Sequence, residues 1–396
     1  MQLKEKILQL AQNHSDDTIR IRRYLHQYPE LANEETQTAK FIKQELDSIG
    51  LNYETIYKTG IAGTLQGQNP NKKVIALRAD IDALPVKEET GLTYASKYEG
   101  KMHACGHDVH TASLLGTLKI LNELKDSFEG TIKFIFQPAE EKLPGGAKQL
   151  IKEGVLENPR PELIIGQHVY PELPAGKLGF RPGTYMASSD EIFITIKGKG
   201  GHGAIPDKIT DTVLVASQII TTLHQTINRM APALTPTVLS IGKFIANGTT
   251  NVIPDIVDIE GTFRTMNENW RKKAHETIEK TANSLAKKSE TNCEILIKKG
   301  YPVLINHEQL TQKAMELSGQ LWGEEHVKRI DKRMTAEDFA YYSQIIPGIF
   351  YRLGTGNANK DTQYPLHSSK FTIDENAIKS GIATMAWLAI KNLEKT

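Results

Sequence analysis

Short uninterrupted apolar runs alternate along the chain with stretches whose apolar residues recur every three or four positions. Near the start, Leu3, Ile7 and Leu10, then Ile19, Ile21 and Leu25, have the spacing of amphipathic helix. "KVIALRADID" (73–82) reads as a buried strand ending in carboxylates, and "TASLLGTLKILNELK" (111–125) as a helix with Leu114, Leu118, Leu121 and Leu124 on one face. "GTIKFIFQPAEE" (130–141) is a strand running into two glutamates. "GAKQLIKEG" is a short helix with Gly154 placed as its C-cap, and "ELIIGQHV" (162–169) a strand ended by His168. Strands alternating with helices in this way predict a mostly parallel α/β sheet.

The texture changes near residue 183. "DEIFITIKGKG" is a strand, and "TDTVLVASQIITTLHQTINR" (210–229) a helix with Val213, Ala216, Ile220, Leu223 and Ile227 facing inward. "PTVLSIGKF" and "DIVDIEGTFRT" follow as strands, then a charged helix in "ENWRKKAHETIEKTANSLAKKS" and a last strand in "NCEILIKKG". This β-α-β-β-α-β order is a split βαβ unit of the ferredoxin-like kind. The α/β texture then resumes with "EQLTQKAMELSGQLWG" as helix, "GIFYRLGTG" as strand and "NAIKSGIATMAWLAIKNLEK" as a closing amphipathic helix. The expected architecture is one mostly parallel α/β domain (1–182 plus 300–396) carrying an inserted ferredoxin-like α+β lid (183–299).

Composition narrows the function classes. In 396 residues, 48 lysines and arginines nearly balance 47 aspartates and glutamates, which gives no electrostatic reason to expect nucleic acid or a membrane surface as partner. The first thirty residues are broken by charge every few positions and have no secretory apolar core. Two cysteines, Cys105 and Cys293, do not make a disulfide scaffold in a chain this long, so a cytoplasmic protein is the expectation.

Against that plain background, "MHACGHDVH" (102–110) crowds three of the twelve histidines, one of the two cysteines and an aspartate into nine positions. Asp80 and Asp82 end one strand, Glu140 and Glu141 follow another, His168 ends a third, and Cys105 and His107 precede a helix. Sites in open α/β sheets form outside the carboxyl ends of strands, so these groups are placed to converge. Imidazole, thiolate and carboxylate together suit a divalent transition metal, with zinc, manganese, cobalt and nickel all open. Two adjacent glutamates on irregular backbone point different ways, so one can bind metal while its neighbour takes a proton from water. His103 reads as a loop residue, and Asp108 as a cap of the helix that follows.

"RADIDALP", "MHACGHDVH", "FQPAEE", "GQHV", "GKGGHGAIP", "TNVIPD" and "YPLHSSKF" occur in that order. Any one of them is weak; the ordered set resembles the aminoacylase/carboxypeptidase family of two-metal amidohydrolases. The cysteine-containing motif is similar to the branch with auxin-conjugate hydrolases, hippurate hydrolases and N-acetyldiaminopimelate deacetylases. The resemblance implies Cys105, His107, Glu141, His168 and His367 as ligands of two divalent ions per subunit, Zn2+ or Mn2+, with Co2+ and Ni2+ as further options. It implies Glu140 as general base and Asp82 as the carboxylate that holds a ligand or the base in place. In other branches a histidine ligand stands where this chain has Asp80, which leaves that residue's role open. Two departures from the family pattern are Gly203 after His202 and "MTAEDFAYY", where Thr335 reads as the N-cap of a helix with Asp338 in its first turn.

The reaction so implied is hydrolysis of an N-acyl amino acid, a small molecule, to a carboxylate and a free amino acid. A cation must meet the substrate carboxylate, and Arg264 is the candidate; Asn251 of "TNVIPD" is a second candidate for substrate contact. The resemblance also implies a homodimer through the lid, with His202 donating to the oxyanion in the partner's site. A dipeptidase or carboxypeptidase with the same metals is the alternative. A non-catalytic metal binder is disfavoured, because a binder needs no base beside its ligand.

Overall fold

The computed structural model describes residues 2–394. The chain forms two compact units, the first comprising Met1–Gly183, Ile305–Asp331 and Asp338–Thr396, the second Thr184–Leu304 and Lys332–Glu337. Hydropathy gave no sign that the short segment 332–337 belongs with the inserted unit.

The first unit is built on a sheet of eight strands among the described residues, in the spatial order 53–56, 60–66, 131–137, 74–80, 164–174, 348–356, 178–180, 327–329. Its four central strands, from 131–137 to 348–356, run parallel. They are apolar almost throughout, as strands covered on both faces must be: in Thr131–Gln137 and Gly348–Gly356 every residue is buried. The edge hairpin Tyr53–Gln66 is antiparallel and had no strong alternating pattern to announce it. Helices Leu3–Gln27, His107–Glu123 and Ala377–Leu393 pack on one another, and the last two also lie against the sheet. The last of them is not amphipathic as expected: fifteen of its residues are buried, because it has neighbours on every side. Ile7, Leu25, Leu114, Leu118, Ile382 and Trp387 belong to this core. Each large apolar side chain removed from water there stabilises the fold by about 1.5–3 kcal/mol.

In the second unit, four antiparallel strands stand in the order 237–246, 256–265, 190–197, 292–299, with helices Thr212–Met230 and Glu268–Lys288 packed on the sheet. This is the split βαβ topology expected from the element order. The inward face of Thr212–Met230 differs in part from expectation: Val215 and Ile219 are buried with Ala216, Leu223 and Ile227, whereas Val213 and Ile220 are only half-buried. Among the described residues no helix is long and apolar enough to cross a membrane.

Candidate metal and catalytic site

Each side chain of the cluster is placed by a strand end or helix start of the first unit. Asp80 closes the central strand Val74–Asp80 and Asp82 follows it. His168 lies inside its strand, which runs on to Pro174 instead of stopping at 169. The register Arg78↔Gly166 sets His168 level with the end of the neighbouring strand, two residues further on. Gly106, at φ 83, turns the chain between Cys105 and the helix that starts at His107. A Cβ there would sit 2.4 Å from Val169 Cγ2, so only glycine fits this turn. At the far end of the chain His367 adopts φ 67, and its N–H donates to the Ala104 carbonyl at 2.8 Å, which ties it to the cysteine loop.

These elements bring several overlapping groups of candidate donor atoms together. Cys105, His107 and His168 form one; Cys105, Glu141 and His367 another; His107, Glu140 and Glu141 a third; Asp80, His107 and His110 a fourth. Cys105 Sγ lies 3.5 Å from His168 Nε2, and Glu141 Oε1 lies 3.3 Å from His367 Nε2. His107 Nε2 and Glu141 Oε1 are buried 3.9 Å apart, each beside an oppositely charged partner, Asp80 Oδ2 at 3.7 Å from the first and His367 Nε2 at 3.3 Å from the second. Both are donor atoms of one candidate group and would be available to a divalent ion.

Hydrogen bonds fix the ring nitrogens for this purpose. His168 Nδ1 donates to the Val169 carbonyl at 2.8 Å, so Nε2 keeps its lone pair. His107 Nδ1 faces Asp82 Oδ1 at 3.2 Å, which leaves Nε2 as its donor atom. The second Asp82 oxygen accepts the Glu141 backbone N–H at 2.9 Å, so one carboxylate orients two neighbours in the cluster.

The electrostatics ask for positive charge. Burial disfavours a charged His107, yet Asp80 and Cys105 override it and hold the imidazole well above its usual range. His367, bonded to Cys105 and Glu141, is raised to about 10. Burial would raise Asp80, but His107, His110 and Arg78 hold it well below the usual carboxylate range. In each case protons or guanidinium supply the charge that a divalent cation would supply in their place. His168 is different: burial, with Arg352 and His110 nearby, lowers it and keeps it neutral, as a ligand must be. The sulfur, nitrogen and oxygen donor set therefore fits one or more divalent ions.

Two neighbours of the cluster were not given these parts by the sequence. His110 Nδ1 lies 2.6 Å from Asp80 Oδ1 and its Nε2 accepts the Val169 N–H, so Asp80 and His110 form a buried pair behind the cluster. The three-residue spacing of His110 from His107 on one helix was the available signal. Asp108 does not cap its helix; it is buried against Arg22 Nε (2.7 Å) and His26 Nδ1 (2.8 Å). Nor does Thr335 cap a helix. The helix it was expected to start is confined to Ala340–Ser343, and Asp338 points instead at Arg78, Gln137 and the Ala147 N–H. Its own N–H donates to Glu140 Oε1 at 3.3 Å.

The three remaining candidates belong to the second unit. His202 and Asn251 lie side by side where strand Gly201–His202 pairs with Val252–Ile253, and both are exposed. His202 Nδ1 accepts the Ala204 N–H at 3.1 Å, so its Nε2 carries the proton and faces outward as a donor. Arg264, on the strand Ile256–Thr265, bonds the Met334 carbonyl at 3.3 Å. It lines a cavity of about 490 Å3 with Val238, Arg333, Met334 and Thr335.

Residues 76–391 match the family model of peptidase family M20/M25/M40. An N-acyl-L-amino acid amidohydrolase of Geobacillus stearothermophilus is 41% identical over 307 residues, 77% of this chain and 82% of that one. Thermostable carboxypeptidase 1 of Saccharolobus solfataricus is 37% identical over 395 residues, 99% of both chains. The crystal structure of the Bacillus subtilis YXEP protein, a dinuclear metal binding peptidase of the M20 family, superposes with a TM-score of 0.84 at 35% identity, covering 97% of this chain and all of that one. The ordered motifs, the converged donor atoms and these likenesses agree: the chain belongs to peptidase family M20/M25/M40 and is a metal-dependent hydrolase of amide bonds.

Proposed function

We propose that this enzyme hydrolyses N-acyl amino acids, with Glu140 as general base and Cys105, His107, Glu141, His168 and His367 holding two divalent ions. The observation that carries the reading is the convergence of Cys105, His107, Glu141, His168 and His367 into overlapping groups of donor atoms, with the buried Glu140 carboxylate beside them. The names of the relatives support the substrate class. Ions bound there would acidify a water and polarise the acyl carbonyl. The chain's own residues do the rest. Glu140 takes a proton from the attacking water and returns it to the leaving amine. Asp82 keeps His107 and the Glu141 backbone in register. In a homodimer His202 Nε2 of one subunit donates to the developing oxyanion in the other's site, while Arg264 meets the substrate carboxylate and Asn251 contacts the substrate.

A thiol among the ligands favours zinc over manganese, and two unpaired thiols suit the reducing cytoplasm. The carboxypeptidase among the relatives keeps a second reading in play, in which a peptide bond is cut at the same site.

Turnover of N-acetyl and N-benzoyl amino acids against dipeptides and N-blocked peptides separates the two readings. Glu140→Gln tests the base: it keeps the shape and removes the proton acceptor, so the rate should fall ~10²-fold or more with metal content unchanged. Near-wild-type turnover would remove Glu140 from the mechanism, and loss of metal would mean the two glutamates have exchanged roles.

A further inference from the structure

We propose that Glu35, far in sequence from the cluster, is the positioning residue that aims Glu140; this rests on the reading of Glu140 as base. The glutamate pair is presented by a strained turn. Ala139, directly before Glu140, is a buried non-glycine residue at φ 54, in the left-handed region that side chains disfavour. Its N–H donates to Glu35 Oε1 at 2.9 Å, and its carbonyl accepts the Gly146 N–H at 2.9 Å.

Glu35 is wholly buried and is itself held rigid. Its Oε1 also accepts the Asn33 N–H at 2.9 Å, and its Oε2 accepts the Thr59 hydroxyl at 2.7 Å. It occupies the N-cap position of helix Thr36–Ile49 yet makes no cap bond with its side chain. A residue placed to cap its own helix instead serves a backbone amide 104 positions away. None of the described lysines or arginines forms a salt bridge with it, and burial together with the nearby Asp82 carboxylate raises its pKa. The turn needs acceptor oxygens from Glu35 and not its charge.

The two glutamates have separate anchors. Glu141 is held from its own N–H by Asp82, downstream of the turn. Glu140 stands between that anchor and Ala139, with Glu35 fixing the upstream side. Loosening the upstream anchor therefore displaces the base before the ligand.

The test compares Glu35→Ala, Glu35→Asp and Glu35→Gln in the full-length, zinc-loaded protein. Glu35→Ala should lower kcat by about 10–100-fold with KM within about threefold, and leave zinc stoichiometry and affinity unchanged. Hydrogen exchange read at the Ala139 amide should lose protection, with or without zinc. Glu35→Gln can present one oxygen to both amides and its NH2 to the Thr59 oxygen, so it should restore kcat to within about threefold and restore amide protection. Glu35→Asp, one methylene too short, should resemble Glu35→Ala; where the alanine variant does not fold, the Asp–Gln contrast decides. Wild-type kcat and protection in Glu35→Ala, or Gln no better than Asp, would overturn the proposal. Full activity in Glu140→Gln would instead overturn the reading of the base and leave the exchange result to judge the anchor.

Discussion

One oxygen of the Asp82 carboxylate faces His107 Nδ1 at 3.2 Å, and the other accepts the Glu141 backbone N–H at 2.9 Å. A carboxylate that faces the second nitrogen of a ligating histidine fixes the tautomer and raises the basicity of the ring. In the proposed site Asp82 would do this for His107, and it also holds the Glu141 backbone.

Asp82→Ala should therefore weaken divalent-ion binding by about 10–100-fold, as loss of such a partner does at histidine-ligated sites. Zinc titration against a competing chromophoric chelator reads this directly. Unchanged affinity would show that His107 is oriented by its packing alone.

The two cysteines should respond differently to the same change. Cys105 is buried 3.5 Å from His168 Nε2, and a serine hydroxyl there stays protonated and cannot replace a thiolate. Cys105→Ser should lose metal, measured by elemental analysis after gel filtration, and lose activity with it. Cys293 lies on the strand Asn292–Lys299, where burial pushes its thiol up to about 11; it stays a thiol, and Cys293→Ser should be silent. Full metal occupancy in Cys105→Ser would remove it from the ligand set.

The donor cluster was legible because its groups sit where α/β chemistry places them: Asp80 ends a strand with Asp82 just after it, and His107 opens a helix with Cys105 just before it. The misreadings arose where periodicity is degenerate or where a partner is remote. Helix Thr212–Met230 carries apolar residues at Val213, Leu214 and Ile220 as well as at Val215 and Ile219, so spacing alone could not choose its inner face. Asp338 looked like a helix starter, but its carboxylate is claimed by Arg78 and Gln137, some two hundred positions away or more. Glu35 carried no sequence signal, because what it supports is a backbone amide and not a side chain.

Asp190 makes the second unit sensitive to acid. It accepts from Arg271 Nε at 2.9 Å and Nη2 at 2.5 Å, from His275 Nε2 at 2.7 Å and from the Gly300 N–H at 3.2 Å. Burial would raise its pKa, but His275 and Arg271 hold it below the usual carboxylate range. A depressed carboxylate stabilises the fold above its unfolded value of ~3.9, and that stability is lost as the pH falls through the folded value. Asp190→Asn removes the counter-charge of His275 and leaves Arg271 with Glu268 alone, and should cost about 3–5 kcal/mol at pH 7. In urea melts the gap between wild type and variant should be constant above pH ~5 and close below pH ~4. A gap that persists undiminished at low pH would show the loss to be one of packing.

The last expectation concerns assembly. The edge strands of the second unit's sheet are Thr237–Ala246 and Asn292–Lys299, and each shows a large apolar side chain to solvent, Phe244 at 39% and Leu296 at 54% exposure. Exposed edges invite pairing with another strand, and a second copy of this chain is the partner we propose for them. His202 is exposed in the same unit with Nε2 as its outward donor, which suits it to reach an oxyanion in the partner's site. His202→Ala should then bind metal normally, stay folded and lose most of its kcat. Mixed under conditions of subunit exchange, His202→Ala and Glu140→Gln chains should recover activity, because a heterodimer contains one site with both residues intact. Each parent alone should stay inactive. A fully active monomer by light scattering, or no recovery after exchange is shown by mass, would place His202 outside a shared site.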